Sequence, residues 1–163
     1  MSMLVAVTGT RQPNLNELAL LRDYLLEYLD KGYDVITGGA EGTDAFAMNL
    51  VNQEWGDPAR LHVVVPWVGF GSAYLHVKNL VTVFNPREHA HWIQYVQTYH
   101  AHAANLKQGS LKLLARDYGI IEPSTTVLAV PRSTISGGTA WTMGIATHLR
   151  KPCLNITAKL VKN

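Results

Sequence analysis

Short apolar runs alternate with amphipathic stretches along most of the chain. Leu4-Val5-Ala6-Val7, Tyr33 to Thr37, Leu61 to Val65, Thr126 to Val130 and Cys153 to Ile156 are largely apolar and β-branched, the pattern of strands buried on both faces. After the first of them, Leu18, Leu21, Leu25, Tyr28 and Leu29 recur at helical spacing, with Asn14 or Asn16 as the cap and Lys31-Gly32 as the stop. Phe46, Ala47, Leu50 and Val51 make the apolar face of a second helix over Asp44 to Trp55, and another helix is predicted from Trp141 to Leu149, ended by Lys151-Pro152. Strand and helix in this alternation predict an α/β protein, Rossmann-like, with a mostly parallel sheet and helices on both faces.

The rhythm breaks after Pro66. Residues 67–85 mix aromatics, glycines and β-branched residues without a clean period, which predicts a loop with a short helix or hairpin. From Pro86 a helix is predicted to about Asn105, carrying Trp92, Tyr95, Val96, Tyr99 and Ala103 on one face, and a shorter one over Ser110 to Tyr118. Residues 67–105 are thus expected as a less regular or helical insertion in a single domain spanning 1–163. The polar tail from Lys159 is expected to fray.

Composition narrows the class without naming a partner. A chain of 163 residues, 47% apolar, suits one domain with a sizeable core. A formal charge of +2 is too small to signal bulk phosphate binding. Cys153 is the only cysteine, so no internal disulfide forms, and Met1-Ser2-Met3-Leu4-Val5-Ala6 lacks the regions of a signal peptide. No run approaches the roughly 18 apolar residues that span a bilayer. A cytoplasmic, membrane-free protein is the expectation.

Two glycine-rich turns carry the chemistry. Thr37-Gly38-Gly39-Ala40-Glu41-Gly42-Thr43-Asp44 and Ser136-Gly137-Gly138-Thr139-Ala140-Trp141-Thr142 each follow a predicted strand and open a predicted helix. Helix N-termini leave amides unpaired, and glycine lets a phosphate approach the backbone, so each turn is a possible anion cup. Gly9-Thr10-Arg11 follows the first strand, and in a doubly wound sheet all three loops reach the edge where ligands bind. Arg11 suits a phosphate or carboxylate there. Asp44 either orients amides or receives a ribose hydroxyl, and a carboxylate in a first helical turn is favourable without any ligand. Trp141 either covers a base or sugar or packs on the sheet. His89 and His91, like His100 and His102, are two apart and point about 200° from each other on a helix, so neither pair jointly holds an ion and no metal is expected.

These strings resemble the SMF/DprA and LOG (SLOG) superfamily, nearer its DprA-like branch. Members carry a GSR-like first loop, a GGA-x-G-x-D-x-x-A second loop and a late SGT-x-x-T-x-x-x-A loop. The corresponding strings here are Gly9-Thr10-Arg11, Gly38-Gly39-Ala40-Glu41-Gly42-Thr43-Asp44 with Ala47, and Gly138-Thr139-Ala140-Trp141-Thr142 with Ala146. Arg116-Asp117-Tyr118-Gly119-Ile120-Ile121 resembles the RNRIIA stretch of the DprA branch, with aspartate where asparagine is usual. The resemblance implies a Rossmann-like domain, usually a dimer, whose cleft binds nucleotides, nucleotide-derived signals or single-stranded DNA. It also implies a ligand site of Gly9, Thr10, Arg11, Gly38, Gly39, Ala40, Gly42, Asp44, Arg116, Gly137, Gly138, Thr139, Trp141 and Thr142, with no cofactor. The hydrolases of the LOG branch, which release a base from a nucleoside monophosphate, carry PGG-x-GT-x-x-E. Thr142 stands here at the glutamate position, so Glu41 is the substitute acid for a hydrolytic reading. Three functions follow: binding of a phosphorylated nucleotide or nucleotide-derived signal, N-glycosidic hydrolysis of a nucleotide, and single-stranded DNA binding.

Overall fold

Six parallel strands in the order β4-β3-β2-β1-β5-β6 form the one sheet of the computed structural model, which describes residues 3–132 and 137–161. The strands are β1 (Leu4–Gly9), β2 (Asp34–Thr37), β3 (Leu61–Val65), β4 (Leu80–Val83), β5 (Thr126–Val130) and β6 (Cys153–Asn155). Helices α1 (Leu15–Asp30), α2 (Thr43–Asn49), α3 (Ala90–Tyr99), α4 (Gln108–Ile121), α5 (Gly138–His148) and α6 (Ile156–Val161) accompany them. The sheet grows outward from β1 in both directions, with Ala6 paired to Ile36 of β2 and to Val127 of β5. The strand order therefore reverses between β1 and β5, the place where doubly wound sheets open a crevice.

The continuous apolar strands are buried because helices cover both faces. Val5, Val7, Val35, Val63 and Val65 pack with Leu21, Leu25 and Leu29 of α1, Met48 of α2 and Ile156 of α6. Ala6, Ile36, Val64 and Val127 face the other way, onto Trp92 and Val96 of α3, Ile120 of α4 and Ile145 of α5. The alternation along each strand sends neighbouring side chains to opposite cores.

Asn14 rather than Asn16 caps α1, through a reciprocal capping box with Glu17. Glu17 is itself buried and accepts from the Thr157 hydroxyl at 2.6 Å, which ties α6 to α1. The helix expected over 44–55 begins as α2 and continues as a wider, π-type helix, Leu50–Trp55.

Three expectations are corrected. The stretch 67–85 holds β4, a full member of the sheet, beyond a short 3₁₀ turn at Ser72–Tyr74. The helix from Pro86 starts only at Ala90, because Asn85 and His89 close a turn first: the Asn85 amide donates to His89 Nδ1 at 2.9 Å. The chain after Asn155 is helical as α6, held by the Glu17 contact.

Candidate functional site

At the strand reversal the end of β1, the first glycine turn, α4 and the start of α5 enclose a cleft of about 370 Å³. Thr8, Gly9 and Arg11 come from the end of β1, Ala40 and Asp44 from the first glycine turn, and Gly138, Thr139 and Thr142 from α5. Helix α4 supplies the remaining wall with Ser110, Leu113, Leu114, Arg116 and Asp117. Eight of the sequence-expected residues meet here: Gly9, Arg11, Ala40, Asp44, Arg116, Gly138, Thr139 and Thr142. The positions 110, 113, 114 and 117 are one face of a helix, a pattern legible in the sequence once a wall is sought there.

The first glycine turn is closed from within. Asp44, 7% exposed, receives the Ala40 amide at 3.2 Å on Oδ2 and also faces the Gly38 amide, so a side chain of the turn's own helix takes the place of an anion. Gly38 and Gly39 are buried and do not line the cleft. The Gly38 carbonyl accepts from Arg116 Nη1, and a Cβ at Gly38 would lie 2.8 Å from that nitrogen. Gly42 has φ +78° and sits against the backbone of Arg11, where no side chain fits. Thr10 is turned into the scaffold: its amide donates to Val130 at 2.8 Å and its carbonyl accepts from the Thr43 hydroxyl at 2.7 Å.

The second turn is open. Gly137 precedes α5 with φ +96° and offers no side-chain cap. The first-turn amides of Gly138, Thr139 and Ala140 have no backbone acceptor among the described residues. The first turn of α5 contains no acid, and among the described residues nothing outside the neighbouring chain lies within 4 Å of a Cβ built at Gly137 or Gly138. The Thr142 hydroxyl donates back to the Gly138 carbonyl at 2.8 Å, a bond that leaves its oxygen able to accept. Ser136, counted in this turn from the sequence, lies outside the described residues.

Between the turns lies a charged floor that sequence reading placed only in part. Arg116, 6% exposed, donates through Nε to Asp117 at 3.0 Å and through Nη1 to the carbonyls of Gly38 and Val64, while its guanidinium stacks 5.3 Å from the centre of the Phe70 ring. Its Nη2 donates to no described residue, and no fully buried side-chain polar atom among those described lacks a partner. Nη2 therefore reaches the surface of the cleft. Burial pushes the Asp44 carboxyl up to about 6, against the pull of Arg116. Burial does the same to Asp117, also to about 6, with the Arg116 charge opposing and the Asp44 charge adding to the rise. Two carboxylates compete for one guanidinium in a low-dielectric floor. Asp117, which stands where the resembled motif has asparagine, is a wall of the cleft.

Of the two readings of Trp141, packing is the one observed. Its indole Nε1 donates to the Leu114 carbonyl at 3.2 Å and its ring packs beside Tyr95 and His100, outside the cleft. Of the aromatic face of α3, Trp92 is core, stacked on Phe84 and His89 and lying against Gly119 of α4, whereas Tyr99 is exposed. Glu41 is exposed and lines a different depression, of about 310 Å³, formed with Arg11, Gly39, Ala40 and residues 69–74. Sequence reading missed that depression because its outer wall belongs to the stretch without a period. Among the described residues no group of three or more side chains is placed to hold a metal ion, and no helix is long and apolar enough to cross a membrane.

No family model matches the chain, and no curated protein matches it in sequence. Solved structures do share its fold. DNA processing protein A from Helicobacter pylori, described for its single-stranded DNA binding mode, matches with a TM-score of 0.63 at 17% identity, covering 98% of this chain and 72% of that one. The molybdenum cofactor carrier protein of Chlamydomonas reinhardtii matches with a TM-score of 0.58 at 16% identity, over 96% and 77%. The structural-genomics target TM1055 matches with a TM-score of 0.54 at 22% identity, over 93% and 72%. The Rossmann-like fold implied by the motif resemblance is thus the fold observed, and DNA processing protein A is among its structural neighbours.

Proposed function

We propose that the cleft between β1 and β5 binds a phosphorylated nucleotide or nucleotide-derived ligand. One observation carries this reading: the acid-free first turn of α5 and the buried Arg116, whose Nη2 has no partner among the described residues, line the same cleft. A phosphate sits at the α5 turn, where amides and helix dipole favour negative charge. Asp117 and Asp44 stand on the opposite side and accept from ligand donors, such as ribose hydroxyls or an exocyclic amine. The arrangement disfavours a ligand that is anionic throughout. Arg11, Gly138, Thr139 and Thr142 are the binding residues of this reading, while Gly38, Gly39, Gly42 and Thr10 shape the scaffold around them. Titration calorimetry with the four common nucleoside 5′-monophosphates, each beside its unphosphorylated nucleoside, tests it. Binding that requires the phosphate supports it, and equal affinity for nucleoside and nucleotide overturns it.

A hydrolytic reading is favoured by a separate observation, the presence of two carboxyls near pKa 6 in the cleft. Asp117, not Glu41, is then the acid beside the sugar, since Glu41 faces the other depression. Chromatography of nucleoside monophosphates incubated with the protein detects the released base. Absence of base release, with binding intact, removes this second reading.

A further inference from the structure

The depression lined by Glu41 adjoins the nucleotide cleft. Arg11 and Ala40 line both, so the two hollows meet along a ridge formed by these residues. Arg11 is exposed and makes no ion pair or side-chain hydrogen bond among the described residues, although its backbone is fixed. Gly42 packs directly on it, and the Thr10 carbonyl before it is held by two bonds from Thr43. A free guanidinium on an immobile stem thus stands between two hollows.

The second hollow is built rather than incidental. Its outer wall, the segment 69–74 between β3 and β4, is pinned to the first glycine turn. A Cβ at Gly71 would lie 2.5 Å from the Gly39 carbonyl oxygen, so only glycine lets the segment come this close. Phe70 is clamped between Trp67, edge-on at 5.5 Å, and the Arg116 guanidinium. Arg116 therefore touches both hollows, the first with Nη2 and the second through the Phe70 ring. The lining of the second hollow is glycines, Ala73, Ser72, Phe70 and Tyr74, with Glu41 as its one acid and Arg11 as its one base. Such a surface suits an uncharged, partly aromatic group with hydroxyls, and offers nothing for a second free phosphate except Arg11 itself.

We propose that the full ligand is dinucleotide-sized: one nucleotide in the β1/β5 cleft, a bridging phosphate over Arg11, and a second nucleoside in the hollow under residues 69–74. This rests on the nucleotide reading above and extends it. Each hollow alone is at the lower end of the roughly 300–1,000 Å³ usual for small-molecule sites, and only both together hold two nucleosides. The charge pattern has the same order as the ligand, with anion sites at α5 and at Arg11 and a neutral pocket beyond.

The test compares the four nucleoside 5′-monophosphates with the matching 5′-phosphorylated homodinucleotides and homohexanucleotides, by calorimetry on the unmodified protein and on Ser72→Trp. Ser72 is exposed and lines only the second hollow, so tryptophan there fills that hollow and leaves the first alone. The expected result is a dissociation constant at least tenfold lower for a dinucleotide than for its mononucleotide. Ser72→Trp abolishes that advantage while the mononucleotide constant stays within about twofold. An independent variant, Arg11→Ala, lowers dinucleotide affinity by more than it lowers mononucleotide affinity. Equal constants for mono- and dinucleotide overturn the two-hollow ligand and leave the nucleotide reading standing. A dinucleotide advantage that survives Ser72→Trp also overturns it. Affinity that rises another tenfold or more from di- to hexanucleotide overturns it in favour of a polymer track. Failure of every mononucleotide and dinucleotide to bind overturns both readings.

Discussion

The two glycine turns look alike in sequence and are opposite in structure. Each follows a buried strand, each has a glycine with positive φ before its helix, and each opens toward the strand reversal. The first is filled: Asp44 binds its amides, Arg116 binds the Gly38 carbonyl, and Gly42 is wedged on Arg11. The second has no acid in its first turn, and no other described residue comes within 4 Å of a Cβ built at its glycines. The difference comes from one side chain at the second helical position, aspartate at 44 and threonine at 139. A carboxylate there satisfies the turn from inside, and its absence leaves the turn available to an outside anion.

The largest expected effect breaks the symmetry of the two glycines. Gly42→Ala meets the Arg11 backbone at positive φ and is expected to cost about 3 kcal/mol of unfolding free energy, through overpacking and left-handed strain together. Gly137→Ala carries only the backbone strain, about 1 kcal/mol. Urea unfolding of both variants measures the gap, and equal costs would contradict the filled-versus-open contrast.

Thr139→Asp transplants the Asp44 solution into the second turn. Nucleotide affinity is expected to fall about a hundredfold, roughly 2.7 kcal/mol, with the melting temperature unchanged or raised. Calorimetry and thermal unfolding of the same preparation read both quantities. The reciprocal change, Asp44→Ala, is expected to destabilise by about 2 kcal/mol, since it removes a helix-start carboxylate and strips buried amides of their acceptor.

The smallest effect is the pH dependence of the floor. Asp44 and Asp117 titrate near 6 when folded, above the roughly 3.9 of an unfolded aspartate, so the folded state holds more protons between those values. Their contribution to stability is complete below about pH 4 and is lost as pH rises through 6. Asp117→Asn keeps an acceptor for Arg116 Nε and removes one of the two ionisations. The stability lost between pH 5 and 7.5 should then shrink by about 1 kcal/mol. Chemical unfolding at the two pH values checks the sign, and an unchanged pH slope would remove Asp117 from the floor's electrostatics.

Residues whose role is local were legible beforehand. The runs at Leu4, Leu61 and Thr126 are strands because both their faces are buried, and that burial leaves an unbroken apolar signature. The β4 strand carries a similar short apolar run, Leu80-Val81-Thr82-Val83, but the glycines and aromatics before it break the period, and all four residues are exposed at the sheet edge beside β3. Helix α6 depends on Thr157 meeting Glu17, 140 positions away. Trp141 could be placed in the second turn by sequence, but its direction was set by Leu114 and Tyr95 on other elements.

The chain's own order of residues determined the parallel α/β architecture, the strand-turn-helix punctuation and the three loops at one sheet edge, because period, caps and glycines act over a few residues. Tertiary structure decided what surrounds the turns. Arg116 of α4 arrives at Gly38 from 78 positions away and, with Asp44 and Asp117, builds the charged floor. The segment 69–74 arrives at Gly39 and Arg11 to make the second hollow. These contacts join elements with no shared local pattern, and their energy comes from burial and charge pairing that exist only once the sheet has brought the loops together.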